Sequence, residues 1–411
     1  MNSPLPYAGL RVIDFSTTLA GPHCTRLLAD MGATVVKVES VDGDMMRARP
    51  PLRDGNSTLF GHLNARKLSV ALDLKRPEGR EASVALTRSA DILVENFRPG
   101  VMDRLGLGHA TLRELNPRLI YCSISGYGQS GPSAGLAAYA PVIHAAAGLD
   151  LAHQAYQHES GRRRPDYCGI YYADVLAGIY AFGAIGVALH ERHSTGLGRR
   201  IDVSMLESTL SLLPAEVQAA QFDVPRPSRP LFGPVETADG YVMLALGSEK
   251  SIKAMAEVMN RPDLIDDPRF ARYAERRANW SAYMDIVEEW SRGLSSAACM
   301  AALEKHGLPA SVYRSVTDAL ADPQLAHRRA LATVTDAAGE FRAPNPPFLI
   351  EGVEWMADAR VARLNEHAVS VLGQAGLTPE QIAAAVAPRT APTESAPQNA
   401  SNPRQRLISG P

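Results

Sequence analysis

The amino-acid sequence predicts an α/β protein whose N-terminal half is built on a parallel β-sheet with helices on its faces. Strand-like and helix-like runs alternate from Leu10 to Ser125, the order typical of a parallel sheet. Two strand-like runs, VVKV and DILV, are almost continuously apolar, as strands covered on both faces usually are. After about Pro225 prolines cluster, a short strand follows TADG, and helical patterns continue to Leu331, which indicates a second, smaller domain.

The predicted elements follow in a regular order. Strands are expected in LRVIDFS, TVVKVES, SVALDL, DILVENF and RLIYCSIS, with helices in CTRLLADMGA and near Glu78 to Arg88. The predicted division is a large domain over residues 1–224, a smaller domain over 225–331, a return segment to the large domain over 332–385, and a disordered tail over 386–411. The tail is rich in Pro, Ser, Ala and Asn and has little apolar periodicity.

Composition excludes several classes of partner. With 45% hydrophobic and 21% charged residues and a formal net charge of -2, the 411-residue chain resembles an ordinary globular enzyme, and neither nucleic acid nor membrane is expected to bind it. The first residues show no signal peptide, so a cytoplasmic protein is expected. The four cysteines are far apart and form no C-x-x-C pair, so neither a disulfide framework nor a metal site is predicted.

A glycine motif follows the strand RLIYCSIS. Gly126, Gly128 and Gly131 have the spacing G-x-G-x-x-G of a dinucleotide-binding loop. That loop also needs a helix opening inside it and an acidic residue at the end of the next strand. Here the chain continues as loop after Gly131, so a dinucleotide cradle is not predicted, and another functional loop or a plain turn remains open.

A long apolar run, DVLAGIYAFGAIGVALHER, predicts a helix from Asp174 to Arg192 that is buried inside the protein. Gly178, Gly183 and Gly186 would weaken such a helix unless they allow close backbone packing. Asp174 stands at the helix N-terminus, where backbone N–H groups stabilise a carboxylate. The residues alone leave two interpretations of Asp174, a helix cap and a functional carboxylate.

Six ordered stretches resemble the class III CoA-transferase family (CaiB/BaiF type), which includes formyl-CoA transferase, carnitine CoA-transferases and α-methylacyl-CoA racemases. The resemblance covers about residues 7–352, and the stretches are GLRVIDFSTTLAGPHCTRLLADMGATVVKVES, NARKLSVALDLKRPEGR, ADILVENFRPGVMDRLGLG, LNPRLIYCSISGYGQSGP, YADVLAGIYAFGAIGVALHERHSTGLGRRIDVSMLES and EKHGLPASVYRSVTDALADPQLAHR. It implies a Rossmann-like large domain, a smaller α+β domain and an interlocked homodimer.

The resemblance also implies roles for particular residues. Asp174 occupies the position of the family's nucleophile, and Gly126 and Gly128 occupy its active-site loop. Tyr139 takes the place of a histidine found in the racemases. Coenzyme A is a substrate and no cofactor is expected to stay bound. The implied CoA contacts are at Leu72, Lys75, Asn96, Phe97 and Arg104, where Leu72 and Phe97 would offer apolar surface.

The expected activity is transfer of CoA from an acyl-CoA donor to a small carboxylic or dicarboxylic acid, through an aspartyl anhydride and an aspartyl-CoA thioester. One alternative is a 2-methylacyl-CoA racemase, which needs two proton-transferring groups; Tyr139 is a poor base at neutral pH, and His144 is the other candidate. A second alternative is a catalytically silent CoA-binding protein.

The glutamine and tetraglycine lid of the formyl-CoA transferases are absent, so oxalate is not expected as acceptor. Arg162, Arg163 and Arg164 either bind an acceptor's distal carboxylate or form a solvated loop.

Overall fold

The structure, a computed structural model, describes residues 4–156, 167–222, 232–354 and 358–386. The first part contains, in chain order, β1 (Arg11–Asp14), α1 (Ala20–Asp30), β2 (Thr34–Glu39), a short 3-10 helix (Met45–Ala48), β3 (Leu52–Arg53), β4 (Asn56–Ser57), α2 (Thr58–Asn64), β5 (Leu68–Ala71), α3 (Pro77–Arg88), β6 (Ile92–Glu95), α4 (Val101–Arg104), α5 (His109–Leu115), β7 (Ile120–Ser125), α6 (Ala140–Ala147), α7 (Leu149–Ala155), α8 (Tyr172–Thr195), β8 (Arg200–Ser204), α9 (Met205–Leu210) and α10 (Pro214–Ala219).

The remaining described residues form a second series of elements. They are β9 (Gly233–Thr237), β10 (Gly240–Leu244), α11 (Glu249–Val258), α12 (Asp263–Asp266), α13 (Tyr273–Ala278), α14 (Trp280–Arg292), α15 (Ser296–Lys305), β11 (Ala310–Val312), α16 (Val316–Leu320), α17 (Pro323–His327), β12 (Leu331–Asp336), β13 (Gly339–Pro344), β14 (Asp358–Arg360), α18 (Ala368–Gln374) and α19 (Pro379–Val386).

The central sheet has six parallel strands in the order β5-β2-β1-β6-β7-β8. Strand β1 lies in the middle, with Val12 paired to Val35 on one side and to Ile92 on the other. The chain builds outward from β1 to β5 and then returns to the other side of β1 to add β6. The point where the strand order reverses therefore lies between β1 and β6, and in such sheets ligands bind outside the carboxyl ends of the strands at this point.

The predicted parallel sheet with two covered faces is confirmed. Val12 belongs to a core that includes residues of α1, α6 and α8, whereas its neighbour Ile13 belongs to a second core with residues of α3, α18 and α19. Successive strand residues point to opposite faces, so continuously apolar strands are needed to fill both cores. The helix predicted near Glu78 to Arg88 is α3.

The later elements form two further groups. Antiparallel β9, β10 and β11 share a separate core with helices α11, α14 and α15. Strands β12, β13 and β14 form another three-stranded sheet, which contacts α2. Helices α18 and α19 then complete the second core of the central sheet. The predicted domain boundary at 225, the residues 387–411 of the predicted tail, and Arg162 to Arg164 lie outside the described residues.

Helix α8 differs from its prediction. It was expected to be buried all round, but Ile179, Tyr180 and Val187 are 45%, 48% and 70% exposed. The predicted burial is wrong for the single chain, because only one face of α8 packs on α1 and the sheet. By length and composition α8 would suffice to cross a membrane, a test that core helices also pass.

A buried ion pair joins several elements around the central sheet. The Lys67 ammonium lies 3.0 Å from the Asp14 carboxylate, and both side chains are 2% exposed or less. The ammonium also lies within 3.0 Å of the Pro22 carbonyl, the Thr25 hydroxyl and the Asn64 side-chain oxygen. Burial alone would raise the pKa of Asp14, but Lys67 and Lys37 hold it below its ordinary value. Burial lowers the pKa of Lys67 to about 8, so the pair is ionised at neutral pH.

We expect Lys67→Met to lower the free energy of unfolding by about 3–5 kcal/mol, because it leaves the Asp14 carboxylate buried without its ammonium partner. Equilibrium urea unfolding measures the change. The matched control is Lys75→Met, which removes an exposed ammonium and should alter stability by no more than about 0.5 kcal/mol. Equal effects of the two substitutions would show that the pair does not hold these elements together.

Candidate active site

The loop between β1 and α1 lies at the reversal point of the sheet. Asn96, which follows β6, fastens this loop by two hydrogen bonds: its side-chain oxygen accepts the Thr17 backbone N–H and its amide nitrogen donates to the Thr17 carbonyl, both at 2.8 Å. The next residue, Thr18, adopts a φ of 69°, a conformation uncommon for residues with a side chain. The loop therefore reaches α1 in one defined conformation.

Asp174 meets the start of α1. It is the third residue of α8, is only 9% exposed, and accepts a hydrogen bond from the Ala20 backbone N–H. Burial raises the pKa of Asp174 to about 6, against the opposing effect of this hydrogen bond. The helix-cap interpretation is wrong, because Tyr171 occupies the cap position and the Asp174 carboxylate is bound by another helix. A buried carboxyl group with a raised pKa is a typical functional residue.

A glycine allows the close contact of α1 with α8. A Cβ at Gly178 would stand 2.7 Å from the Ala20 carbonyl oxygen and 3.0 Å from the His23 ring. At Gly186 it would stand 3.2 Å from the Tyr7 hydroxyl, whereas at Gly183 nothing described lies within 4 Å. The predicted close backbone packing is therefore confirmed at Gly178. At Gly186 the close neighbour is a side chain, and Gly183 lies away from these contacts. The Gly178 contact brings the Ala20 N–H to Asp174.

His144 holds the first turn of α8 from the other side. Its side chain is fully buried in α6, and its Nε2 accepts the Ala173 backbone N–H at 3.2 Å. Nε2 therefore carries the lone pair and Nδ1 carries the proton. Because Nε2 is bonded to the backbone beside Asp174, His144 is not free to take a proton from a substrate. The suggestion that it serves as the second base of a racemase is wrong for this conformation.

The five residues that the resemblance implies for CoA binding all come after the carboxyl end of β5 or β6 in the chain. Lys75 and Arg104 are exposed and Phe97 is partly buried, so their side chains remain accessible. Leu72 is different: it is 1% exposed and packs in the core below the sheet. The predicted apolar contact of this side chain with a ligand is therefore wrong, because the side chain is enclosed in the core. The role of Lys75, Asn96, Phe97 and Arg104 in CoA binding stays a prediction.

The glycine loop after β7 folds back on itself. A Cβ at Gly126 would stand 2.3 Å from the Ala138 side chain, and Gly128 has a φ of 87°, so glycine is required at both positions. The next helix, α6, begins only at Ala140, so the helix of a dinucleotide fingerprint is not inside the loop, as predicted. Tyr139 occupies the cap position of α6 and is 64% exposed. The catalytic roles of Gly126, Gly128 and Tyr139 stay predictions.

Three potential metal ligands meet beside this site. Ligand atoms of His144, Asp150 and Cys168 all lie within 4.8 Å of one another. The sequence predicted no such cluster, because these residues are widely separated along the chain and have no recognised ligand spacing. The Ala173–His144 hydrogen bond and the Ala20–Asp174 hydrogen bond were missed for the same reason.

Comparisons with known proteins identify the family of this chain. The model of CoA-transferase family III matches residues 7–368. An acetyl-CoA:oxalate CoA-transferase of Acetobacter aceti is 34% identical over 358 residues, which cover 85% of this chain and 90% of that protein. A succinyl-CoA:mesaconate CoA-transferase of Haloarcula marismortui is 33% identical over 392 residues, covering 90% and 96%. A solved CAIB/BAIF family protein from Brucella suis has a TM-score of 0.78 at 30% identity, covering 91% of this chain and 100% of that one.

The fold and these matches define an α/β enzyme that transfers coenzyme A. The chain belongs to CoA-transferase family III.

We expect Asp174→Asn to stabilise the protein by on the order of 1–3 kcal/mol at a pH above about 7. The folded protein binds the Asp174 proton more tightly than the unfolded chain does, since its pKa rises from 3.8 to about 6, so folding is penalised wherever this carboxyl is ionised. The gain should shrink as the pH falls through about 6 toward about 4. Urea unfolding across this pH range measures the gain in the free energy of unfolding. A gain independent of pH would show that ionisation of Asp174 does not penalise folding.

Proposed function

We propose that this enzyme transfers CoA from an acyl-CoA donor to a small dicarboxylic acid, with Asp174 as the nucleophile. The observation that carries the proposal is the Asp174 carboxyl, buried against α1 with a pKa raised to about 6. At neutral pH most of it is ionised, and as a carboxylate it is more basic than an ordinary aspartate. Both properties favour attack on a thioester carbonyl.

The chemistry proceeds through two covalent species. The Asp174 carboxylate attacks the thioester carbonyl and expels the CoA thiolate, which leaves a mixed anhydride. The thiolate then attacks the Asp174 carbonyl, which releases the acyl group as its carboxylate and leaves an aspartyl-CoA thioester. The acceptor carboxylate repeats the two steps in reverse, and the Asp174 carboxylate is regenerated. Each step exchanges one carboxylate for one thiolate, so the sequence balances without an oxidant or a net proton.

Two features of the surrounding residues support this reaction. The loop containing Gly126 and Gly128 supplies backbone N–H groups with close access, suited to the oxyanions that form during each attack. The exposed ammonium of Lys75 and guanidinium of Arg104 provide positive charge for CoA phosphates. We assign these groups to the oxyanions and to CoA as part of the proposal.

The names of two relatives support the proposed acceptor class. The acetyl-CoA:oxalate and succinyl-CoA:mesaconate enzymes are named for dicarboxylic acids. The racemase alternative has less support, because its candidate base His144 is bonded through Nε2 to the Ala173 backbone N–H. A transferase needs only the one carboxylate, so the geometry favours transfer.

The proposal predicts that Asp174→Ala lowers CoA exchange by at least about a thousandfold while CoA affinity changes little, because the nucleophile is lost and the proposed phosphate contacts remain. Mass spectrometry of product CoA thioesters, with succinyl-CoA as donor and matched mono- and dicarboxylic acids as acceptors, measures exchange and acceptor class. Hydroxylamine should trap the intermediate at Asp174.

Glu191→Gln is the control for this experiment. It removes a half-buried carboxylate, ion-paired with Arg199, at the opposite end of the same helix and should leave exchange unchanged. Normal turnover by the Asp174→Ala variant would disprove the assignment. A preference for monocarboxylic acceptors would leave the nucleophile intact and contradict the acceptor class.

We also propose that the protein is an interlocked homodimer. The support is the exposed apolar surface of α8 and its neighbours, including Ile179, Tyr180 and Val187, which an ordinary monomer would not leave in water. Burial of this surface by a second copy would also restore the all-round burial that the sequence predicts for α8.

The homodimer predicts that the two chains remain together at nanomolar concentration, since threaded chains cannot separate without unfolding. Analytical ultracentrifugation with fluorescence detection checks this. The control is the same measurement in a denaturant concentration just above the unfolding midpoint, where two separate chains are expected. A folded, active monomer at nanomolar concentration would contradict the proposal.

A further inference from the structure

The cluster of His144, Asp150 and Cys168 is not used in the proposed reaction. The cluster is built by local geometry: Gly148 ends α6 and begins α7 with a φ of 78°, and this turn brings Asp150 of α7 back to His144 of α6. Cys168 approaches from the segment before α8. Among the described residues its Sγ has one weak hydrogen bond, 3.9 Å from the Ile170 carbonyl oxygen, which leaves the sulfur able to bind a ligand.

An unpartnered buried atom points to a ligand at this place. The His144 side chain is fully buried, and its Nδ1 has no hydrogen-bond partner among the described residues. A buried polar atom without a partner is costly and calls for an explanation. The other ring nitrogen, Nε2, is bonded to Ala173, so Nδ1 is the nitrogen left for the cluster.

The donor set suits one class of metal. Imidazole nitrogen, thiolate sulfur and carboxylate oxygen are the ligands of tetrahedral Zn²⁺, and three protein ligands leave one position open. Zinc bonds of about 2.0–2.3 Å place tetrahedral ligand atoms about 3.3–3.8 Å apart. A ring nitrogen of His144, a carboxylate oxygen of Asp150 and the Cys168 Sγ already lie within 4.8 Å of one another, so small side-chain movements close the site. Asp150 and Cys168 are partly exposed, which leaves an entry path.

Metal binding at Nδ1 conflicts with the present contact of Nε2. A neutral imidazole that binds metal through Nδ1 carries its proton on Nε2. That proton would face the Ala173 N–H, and two donors cannot form a hydrogen bond. The Ala173–His144 bond must therefore break when the metal binds, and Ala173 immediately precedes Asp174.

We propose that His144, Asp150 and Cys168 form a binding site for a divalent transition metal of the zinc type, and that its occupation competes with the hydrogen bond that holds the first turn of α8. The Cys168 thiol loses its proton to the solvent when the metal binds. The occupied site is inhibitory, because it loosens the backbone that positions Asp174.

Titration of the reduced, full-length protein with Co²⁺ tests the site directly, since thiolate coordination to Co²⁺ gives a charge-transfer band in the near ultraviolet. We expect one Co²⁺ per chain, displaced by Zn²⁺. Cys168→Ser should abolish the band, and Asp150→Asn should weaken binding at least about tenfold. The matched control is His153→Gln, on the same helix as Asp150 but outside the cluster, which should retain the band and the affinity.

Absence of the band in the unmodified protein, or an equal band and affinity in Cys168→Ser, would overturn the site. Hydrogen exchange tests the competition separately. Saturating Zn²⁺ should reduce protection of the first turn of α8 in the unmodified protein and not in Cys168→Ser, with recovery after chelation. Unchanged protection in the metal-loaded protein would overturn the competition. None of these measurements requires CoA-transferase activity, so their failure is distinct from failure of the proposed reaction.

Discussion

The buried ion pair of Lys67 and Asp14 is the interaction on which the arrangement of the site depends. Asp14 ends β1 and Lys67 precedes β5. Thr25 of α1 is hydrogen-bonded to both side chains, and Asn64 of α2 accepts a hydrogen bond from Lys67. A buried charge without a partner is strongly unfavourable, so these elements must meet in one geometry. That geometry sets where the loop from β1 leads into α1, and therefore where the Ala20 N–H stands.

Asp174 is held from two sides by backbone contacts. Ala20 binds its carboxylate from α1, and His144 binds the preceding N–H from α6. Gly178 permits the first contact because any side chain there would collide with the Ala20 carbonyl. The enclosure that raises the pKa of Asp174 also makes its ionised form costly to the folded state. This cost is typical of functional residues, where reactivity is obtained at the expense of stability.

The two faces of α8 have different environments. The inner face packs on α1 and carries Asp174 near its first turn, whereas Ile179, Tyr180 and Val187 expose apolar surface on the outer face. The proposed dimer would cover this outer surface and so couple assembly to the helix that carries the nucleophile. The proposed metal site lies beside the N-terminal end of α8. The proposed nucleophile, dimer surface and metal site therefore all involve this helix.

The sequence by itself determined the parallel sheet, the long helix over Asp174 to Arg192 and the family, because strand periodicity, apolar runs and ordered motifs are local properties of the chain. It also indicated Asp174, though it left a helix cap open. Only the tertiary structure decided that Leu72 faces the core, that one face of α8 is exposed, and that His144 is bonded 29 residues away to Ala173. It alone brought Cys168 to His144 and Asp150. Such contacts join distant residues through the packing of helices, and no spacing along the chain encodes them.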